Sequence, residues 1–203
     1  MSASVGVLAL QGDVAEHLAA LERSGAEAVP VKTAGELDRV DGLVIPGGES
    51  TTVMKLLQRF GLEAPIVRRA RAGMPLWGTC MGMIVLAHDV AGLAQPTLDL
   101  LDVSVRRNAF GRQNESAETM LDVPVLGSAP FPAIFIRAPW IERAGAGVEV
   151  LARRGGHGVM VRQGNVLGTS FHPELAQDDR VHRHFLQVVR ENAARVGKRS
   201  TAA

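Results

Sequence analysis

Residues 74–82 read Met74-Pro75-Leu76-Trp77-Gly78-Thr79-Cys80-Met81-Gly82. The apolar start predicts a short buried strand, and the two glycines permit a sharp turn from that strand into a helix. A turn of this kind presents the side chain at its apex at the edge of a sheet. Cys80 stands at the apex and is the only cysteine, so the stretch predicts a presented thiol and excludes an intrachain disulfide.

The segments before this stretch alternate between strand-like and helix-like patterns. Apolar runs predict strands, and amphipathic spacing predicts helices, the first of which opens with Asp13 and Glu16 spaced as a capping box. Alternation of this kind predicts an α/β fold with a doubly wound, mostly parallel sheet flanked by helices. The predicted strands are 4–10, 27–31, 42–45 and 76–77, and the predicted later helices are 50–58 and 66–71.

From Leu98 onward the pattern becomes rich in short β segments, predicted at 133–136, 148–151, 158–161 and 166–169. A final helix is predicted over about 178–194. Apolar periodicity is lost after it, so we expect one domain over 1–195 and a disordered tail over 196–203.

Composition limits the possible function classes. The chain has 203 residues, 46% of them hydrophobic, and 22 basic against 21 acidic residues give a net charge of +1. This balance argues against nucleic-acid or membrane-surface binding. The N-terminal residues lack a signal-peptide pattern and no apolar run approaches the about 18 residues of a membrane span, so we expect a cytoplasmic protein.

A second motif, Phe171-His172-Pro173-Glu174, supplies an imidazole and a carboxylate that can activate the thiol. Residues two apart on an extended backbone point the same way, so Glu174 is expected to reach the ring that His172 offers to Cys80. An adjacent imidazole raises the nucleophilicity of a thiol, and a carboxylate fixes the imidazole tautomer. Taken singly, a cysteine is usually a small buried hydrophobe and a histidine a satisfied core or surface residue. The combination predicts a Cys80–His172–Glu174 triad.

The loop Pro46-Gly47-Gly48-Glu49-Ser50 follows the third predicted strand. It can be an ordinary strand-to-helix turn, or its backbone amides can hold an anion. In doubly wound sheets ligands bind at the carboxyl ends of strands, where this loop and Cys80 should meet. We therefore expect an oxyanion hole made of one amide from Gly47 or Gly48 and the amide of Met81.

These motifs resemble those of the class I (triad) glutamine amidotransferases, whose fold is flavodoxin-like. Within that class the chain is most similar to the glutaminase subunits of pyridoxal 5′-phosphate synthase. The more specific matches are the stretches 6–13, 47–52, 107–113 and 135–139.

The resemblance implies an enzyme that hydrolyses L-glutamine to L-glutamate and ammonia through a γ-glutamyl thioester. The ammonia would pass to a separate synthase subunit in a hetero-oligomer, with no cofactor and no metal in this chain. Cys80 would be the nucleophile, His172 the base and then the acid, and Glu174 the orienting carboxylate. The residues that fall where the family binds glutamine are Gly48, Glu49, Ser50, Arg107, Ile136 and Arg137.

Several alternatives stay open. The chain can be the glutaminase of another amidotransferase, such as imidazole glycerol phosphate synthase, or a non-enzymatic thiol sensor. Arg107 and Arg137 can be surface ion pairs, and the segment 11–13 can contact the synthase or be a plain turn with Asp13 as N-cap. His182 and His184 are two apart on a predicted helix and share no face, which is the reason that no metal site is expected there.

Overall fold

The computed structural model describes residues 3–107 and 116–200, with side chains as far as Arg195. Residues 108–113 of the stretch 107–113, and residues 201–203 of the predicted tail, lie outside the described residues. Within the described chain, no helix is long and apolar enough to cross a membrane.

The first half alternates strands and helices, as predicted. The predicted strands at 27–31 and 42–45 are confirmed to the residue, and the strand before Cys80 runs on to Thr79. A four-residue helix, α2, was not predicted; it is stabilised by a capping box between Thr33 and Glu36. The elements are β1 (Ser4–Leu8), α1 (Val14–Arg23), β2 (Glu27–Val31), α2 (Ala34–Leu37), β3 (Gly42–Ile45), α3 (Ser50–Arg59), α4 (Glu63–Arg71), β4 (Leu76–Thr79) and α5 (Met81–Leu86).

The second half is rich in strands, also as predicted, and closes with one long helix. All four predicted strands are present, and four further strands join them. The elements are β5 (Ala87–Val90), β6 (Leu101–Arg106), β7 (Ser116–Leu121), β8 (Phe131–Ile136), β9 (Trp140–Ala144), β10 (Glu149–Arg154), β11 (His157–Gln163), β12 (Val166–Thr169) and α6 (Arg180–Ser200).

Helix α6 extends beyond its predicted end at Ala194 and into the segment predicted as a tail, since its backbone is helical as far as Ser200. The single-domain boundary at residue 195 stays a prediction.

The strands form a ten-stranded mixed sheet in the order β2-β1-β3-β4-β12-β11-β9-β6-β5, with β10 paired to β11. Strands β2, β1, β3, β4 and β12 are parallel, and β11 is antiparallel to β12. Strands β7 and β8 form a separate antiparallel pair. The predicted parallel sheet is therefore the five-stranded part, and the four carboxyl ends of β1, β3, β4 and β12 lie at one edge of it.

The core has two layers, one on each face of the sheet, because successive side chains of a strand point to opposite faces. Leu43 and Ile45 of β3 pack into one layer, whereas Val44 packs into the other. Side chains of a strand point alternately to its two faces, which accounts for this division. Helices α3, α4 and α5 complete the first layer, through residues such as Val53, Leu57, Ile66 and Met83. Helices α1 and α6 complete the second layer, through residues such as Leu21, Val181, Phe185 and Val189.

Candidate active site

Cys80 lies at the sharp turn between β4 and α5, as predicted. Its backbone φ is +48°, a region that non-glycine residues rarely adopt. Two close contacts explain the flanking glycines: a Cβ on Gly78 would lie 2.4 Å from the backbone of Gly82, and a Cβ on Gly82 would lie 1.9 Å from the carbonyl oxygen of Ile45. The Cys80 amide donates to the Thr169 carbonyl at 2.7 Å, which ties the turn to β12.

His172 and Glu174 follow β12 and approach this turn from the neighbouring strand end. The His172 Nδ1 atom lies 2.8 Å from Glu174 Oε1, and both residues are buried. The predicted contact is present, but its predicted cause is wrong: residues Pro173–Leu175 form a 3-10 turn rather than an extended strand. The turn folds the carboxylate back onto the ring, and Pro173 suits its first position because proline fixes φ.

The acidic groups near His172 favour its protonated form. Burial lowers the pKa of His172, but hydrogen bonds to Asp13, Cys80 and Glu174 outweigh burial and raise that pKa to about 12. Burial raises the pKa of Glu174, against the opposing effect of the His172 ring. The site is therefore built to hold a thiol or thiolate beside an imidazolium.

Asp13 is a second carboxylate at this ring. Its Oδ2 atom lies 3.4 Å from His172 Nδ1, and the hydrogen bond to His172 lowers the pKa of Asp13. The predicted capping box with Glu16 is wrong: the Asp13 side chain makes no capping hydrogen bond, because its backbone (φ −80°, ψ 56°) is not in the extended region of N-caps and its carboxylate faces the histidine. The position of Asp13 in the loop between β1 and α1, after the carboxyl end of a strand, was the available sequence signal.

The ligand atoms of Asp13, His172 and Glu174 lie within 4.8 Å of one another, a spacing that a metal ion can bridge. A metal needs the lone pair of a neutral imidazole, whereas the two carboxylates keep this ring protonated. The cluster fits a hydrogen-bonded acid–base group, and the predicted lack of a metal stays a prediction.

The glycine loop after β3 packs closely against His172. A Cβ on Gly47 would lie 2.5 Å from His172 Cε1, and Gly48 has φ +146°. The Gln11 side chain supports the loop, because its Oε1 accepts a hydrogen bond from the Glu49 amide at 3.0 Å. Met81 is the first residue of α5, where backbone N–H groups have no partner within the helix. The predicted oxyanion donors therefore lie on two neighbouring segments of the site.

One pocket brings the predicted triad nucleophile and base together with every predicted glutamine-binding residue. It is lined by Cys80, Met81 and His172 and by Gly48, Glu49, Ser50, Arg107, Ile136 and Arg137. Both arginines approach the carboxylate of Glu49. Arg107 Nη2 lies 3.7 Å from Glu49 Oε2, and Arg137 Nη2 lies 3.5 Å from Glu49 Oε1. The ion-pair alternative for these arginines is therefore present, and it lies inside the pocket rather than on a remote surface.

Gln95 is a residue of the site that the sequence did not reveal. Its Oε1 accepts from Arg107 at 3.1 Å, and its Nε2 donates to Ser50 Oγ at 2.9 Å. The side chain thus joins two of the predicted substrate-binding residues. It lies in the loop between β5 and β6, and nothing in the local pattern around it distinguishes it from a surface glutamine.

Strand β8 contributes to the site from the second, two-stranded sheet. The His172 amide donates to the Ile134 carbonyl at 2.8 Å, and the Ile136 carbonyl lies 3.8 Å from Cys80 Sγ. One strand therefore contacts both Cys80 and the segment that carries His172. Arg137 follows directly with φ +44°, which turns the chain at the pocket rim.

The fold matches that of solved amidotransferases. A crystal structure described as a glutamine amidotransferase aligns with a TM-score of 0.86 at 51% identity, covering 91% of this chain and 98% of that chain. The structure of PurLQS from Thermotoga maritima shares the fold, with a TM-score of 0.62 at 18% identity and coverage of 97% and 99%. The predicted class I glutamine amidotransferase fold is thereby confirmed.

Sequence comparison identifies a family within the glutamine amidotransferases. The pyridoxal 5′-phosphate synthase subunit PdxT of Pelotomaculum thermopropionicum is 57% identical over 183 residues, which are 90% of this chain and 93% of that protein. The subunit of the same name from Streptomyces avermitilis is 57% identical over 190 residues, 93% and 94% of the two chains. The profile of the SNO glutamine amidotransferase family matches residues 7–191. The chain belongs to the SNO glutamine amidotransferase family.

Proposed function

We propose that this chain is a glutaminase that supplies ammonia to the synthase subunit of pyridoxal 5′-phosphate synthase. The observation that carries the proposal is the Cys80 thiol on a strained turn, beside the His172–Glu174 pair and in one pocket with two arginines. Membership of the SNO glutamine amidotransferase family, and the similarity to pyridoxal 5′-phosphate synthase subunits PdxT, support the same activity.

The first half of the reaction forms a thioester. The Cys80 sulfur attacks the side-chain amide carbon of glutamine, and the C–N bond breaks as His172 gives its proton to the leaving nitrogen, which departs as ammonia. The negative charge that develops on the amide oxygen is held by the Met81 amide and one amide of Gly47 or Gly48. A γ-glutamyl thioester on Cys80 remains.

The second half releases glutamate. His172, now neutral, takes a proton from a water molecule, and the resulting hydroxide attacks the thioester carbon. The C–S bond breaks, and the thiolate leaves beside the imidazolium, as at the start. Glu174 and Asp13 face Nδ1 throughout, so the ring keeps its Nε2 side available for proton transfer.

The charged residues of the pocket suit the backbone end of free glutamine. Arg107 and Arg137 can pair with the α-carboxylate, because a guanidinium matches a carboxylate as a planar fork. Glu49, which lies between them, can accept hydrogen bonds from the α-ammonium group. The buried Ser50 adds a polar contact in the pocket wall, and the carbonyl of Ile136 adds one near the nucleophile. Gly48 leaves space for the ligand.

The chemistry of the product, ammonia, indicates that this chain works with a partner protein. Ammonia released into neutral water becomes mostly ammonium, which is not a nucleophile, so we propose transfer inside a hetero-oligomer with the synthase subunit. The segment 11–13, which contacts the glycine loop and His172, is the proposed contact with that subunit. A catalytic thiol also needs a reducing compartment, for which we propose the cytoplasm.

The test is glutamate release from L-glutamine, measured for the chain alone and with the synthase subunit, with Cys80→Ala as the blank. We expect release that depends on Cys80 and is stimulated by the synthase. Release that ignores the synthase would retain the amidotransferase class and favour another partner enzyme, such as imidazole glycerol phosphate synthase. Absence of release in both conditions would refute the proposal and favour the thiol sensor.

A further inference from the structure

We propose that His17 is a positioning residue for the catalytic carboxylate, holding the second oxygen of Glu174, and that His182 fixes the tautomer in which His17 can do so. The inference rests on the proposed glutaminase activity. It extends the site inward by two buried histidines, one on α1 and one on α6, neither of which reaches the pocket.

The unsatisfied atom is Glu174 Oε2. The other oxygen, Oε1, is 2.8 Å from His172, but Oε2 is buried and has no hydrogen-bond partner of ordinary geometry among the described residues. A buried carboxylate oxygen without a donor is costly. The His17 Nε2 atom lies 3.4 Å away, and His17 is 0% exposed. A small approach of these two groups, as the charge on His172 changes, completes the hydrogen bond.

His17 has one proton to offer, and its neighbours decide where that proton lies. Burial, and then the neighbouring His182, lower the pKa of His17 well below its ordinary value, so the ring is neutral and has one donor nitrogen. The Nε2 atom faces Glu174 and also Thr79 Oγ1, at 3.2 Å. The Nδ1 atom faces His182 Nε2 at 3.0 Å.

Of the two possible proton arrangements, one leaves no buried N–H of the histidine pair without an acceptor. With the proton on Nε2, His17 donates toward Glu174 and accepts at Nδ1 from the Nε2–H of His182. His182 Nδ1, which is buried with no partner within the described chain, then carries only a lone pair. The opposite arrangement would leave an N–H unpaired on His182 and turn a lone pair of His17 toward the carboxylate. The first arrangement is therefore favoured.

The rings are held in place by Trp77. Its ring meets His17 edge-on at 5.4 Å and His182 edge-on at 4.9 Å between centroids. The charged groups that face the histidine pair are Glu174 and His172 on the site side and Asp179 and Arg23 near His182. Asp13 lies behind His172 and contacts that ring instead. A fixed pair of neutral rings thus connects the catalytic carboxylate to helix α6.

The test compares His17→Leu, which removes the donor, with His17→Gln, whose amide can still donate. Glutaminase activity is measured in the presence of the synthase subunit. We expect kcat of His17→Leu to fall by about 10- to 100-fold with KM nearly unchanged, and His17→Gln to recover much of the loss. Leu21→Val on the same helix is the matched control for packing and should keep the activity. Equal activity in wild type and His17→Leu, or an equal loss in the Leu21→Val control, would overturn the proposal.

Two further readouts separate positioning from loss of stability. The acidic limb of the pH profile for Cys80 alkylation by iodoacetamide should move to higher pH in His17→Leu, because a less firmly held Glu174 stabilises the imidazolium less. In the wild-type chain, the nitrogen-15 NMR signals of His17 should show a protonated Nε2 and a bare Nδ1 at pH 7. A protonated Nδ1, or a doubly protonated ring, would overturn the proposal even if the variants fail to fold. Failure of the glutaminase itself would show in the wild type.

Discussion

At the scale of single residues, the pocket depends on side chains that orient other side chains. Gln95 joins Ser50 to Arg107, and Gln11 accepts from the backbone of Glu49. These contacts fix charged and polar groups that would otherwise choose among several rotamers in water. Their effect is expected mainly on substrate binding, because neither glutamine approaches the triad.

Replacing Gln95 by Leu tests this role. Arg107 loses an acceptor and Ser50 loses its donor, so we expect KM for glutamine to rise about 5- to 10-fold, the equivalent of about 1 kcal/mol, with kcat changed little. Steady-state kinetics with the synthase subunit measure both constants. Gln58→Leu, at an exposed position on α3, is the control and should leave KM unchanged. A fall in kcat alone would assign Gln95 a role other than substrate positioning.

At the scale of secondary-structure elements, the site requires an unusually close approach of α5 to β3. The helix begins directly after Cys80, and Gly82 in its first turn touches the Ile45 carbonyl. This approach brings the Met81 amide, at the helix N-terminus, toward the glycine loop that follows β3. The glycines that frame Cys80 in the sequence are therefore required by packing between elements as well as by the turn.

Gly82→Ala tests the approach. The added Cβ would lie 1.9 Å from Ile45 O, so α5 must move away from β3, carrying Cys80 and Met81 with it. We expect a loss of about 1–3 kcal/mol in the free energy of unfolding and a loss of most glutaminase activity. Urea denaturation and glutamate release measure the two effects.

Gly35→Ala is the matched control, because Gly35 also lies in a helix but has open space where a Cβ would be. Alanine has the higher helix propensity, so this variant should be as stable as wild type or slightly more stable, with full activity. If Gly82→Ala behaved like Gly35→Ala, the close contact would have no functional importance.

At the scale of the whole molecule, buried histidines link the site to the pH dependence of folding. Burial lowers the pKa of His182 to about 4, whereas the unfolded chain titrates near the ordinary value of 6.5. Between these values the unfolded state binds more protons than the folded state, so stability falls as the pH falls from about 6.5 to 4. The contribution of His182 is present in full above pH 6.5.

The pH dependence is measured by urea denaturation at pH 7 and pH 4.5. The wild-type free energy of unfolding should fall more steeply over this interval than that of His182→Leu, by an amount on the order of 2 kcal/mol. The comparison with the variant removes the effect of Glu174, because burial raises the pKa of that carboxyl into the same range. Parallel falls in the two proteins would show that His182 is not a buried neutral ring.

The sequence by itself determined the α/β class, the bounds of two parallel strands, the turn at Cys80 and the identities of the proposed triad. Each of these depends on local patterns: apolar runs, glycine pairs, and residues a fixed distance apart on the chain. The strand β7 and its pairing with β8, the extended α6 and the 3-10 turn after His172 were less accessible, because their pairing partners or end groups lie elsewhere in the chain.

Only the tertiary structure decided which distant groups surround His172 and the proposed substrate pocket. The sequence assigned Asp13 to a helix cap, whereas the fold turns its carboxylate to His172. Gln95 and His17 have no local pattern that marks them; their importance comes from contacts across more than 40 residues of chain. Such contacts arise because parallel strands bring their carboxyl ends together whatever their separation in sequence, and a buried polar atom must then find its partner there.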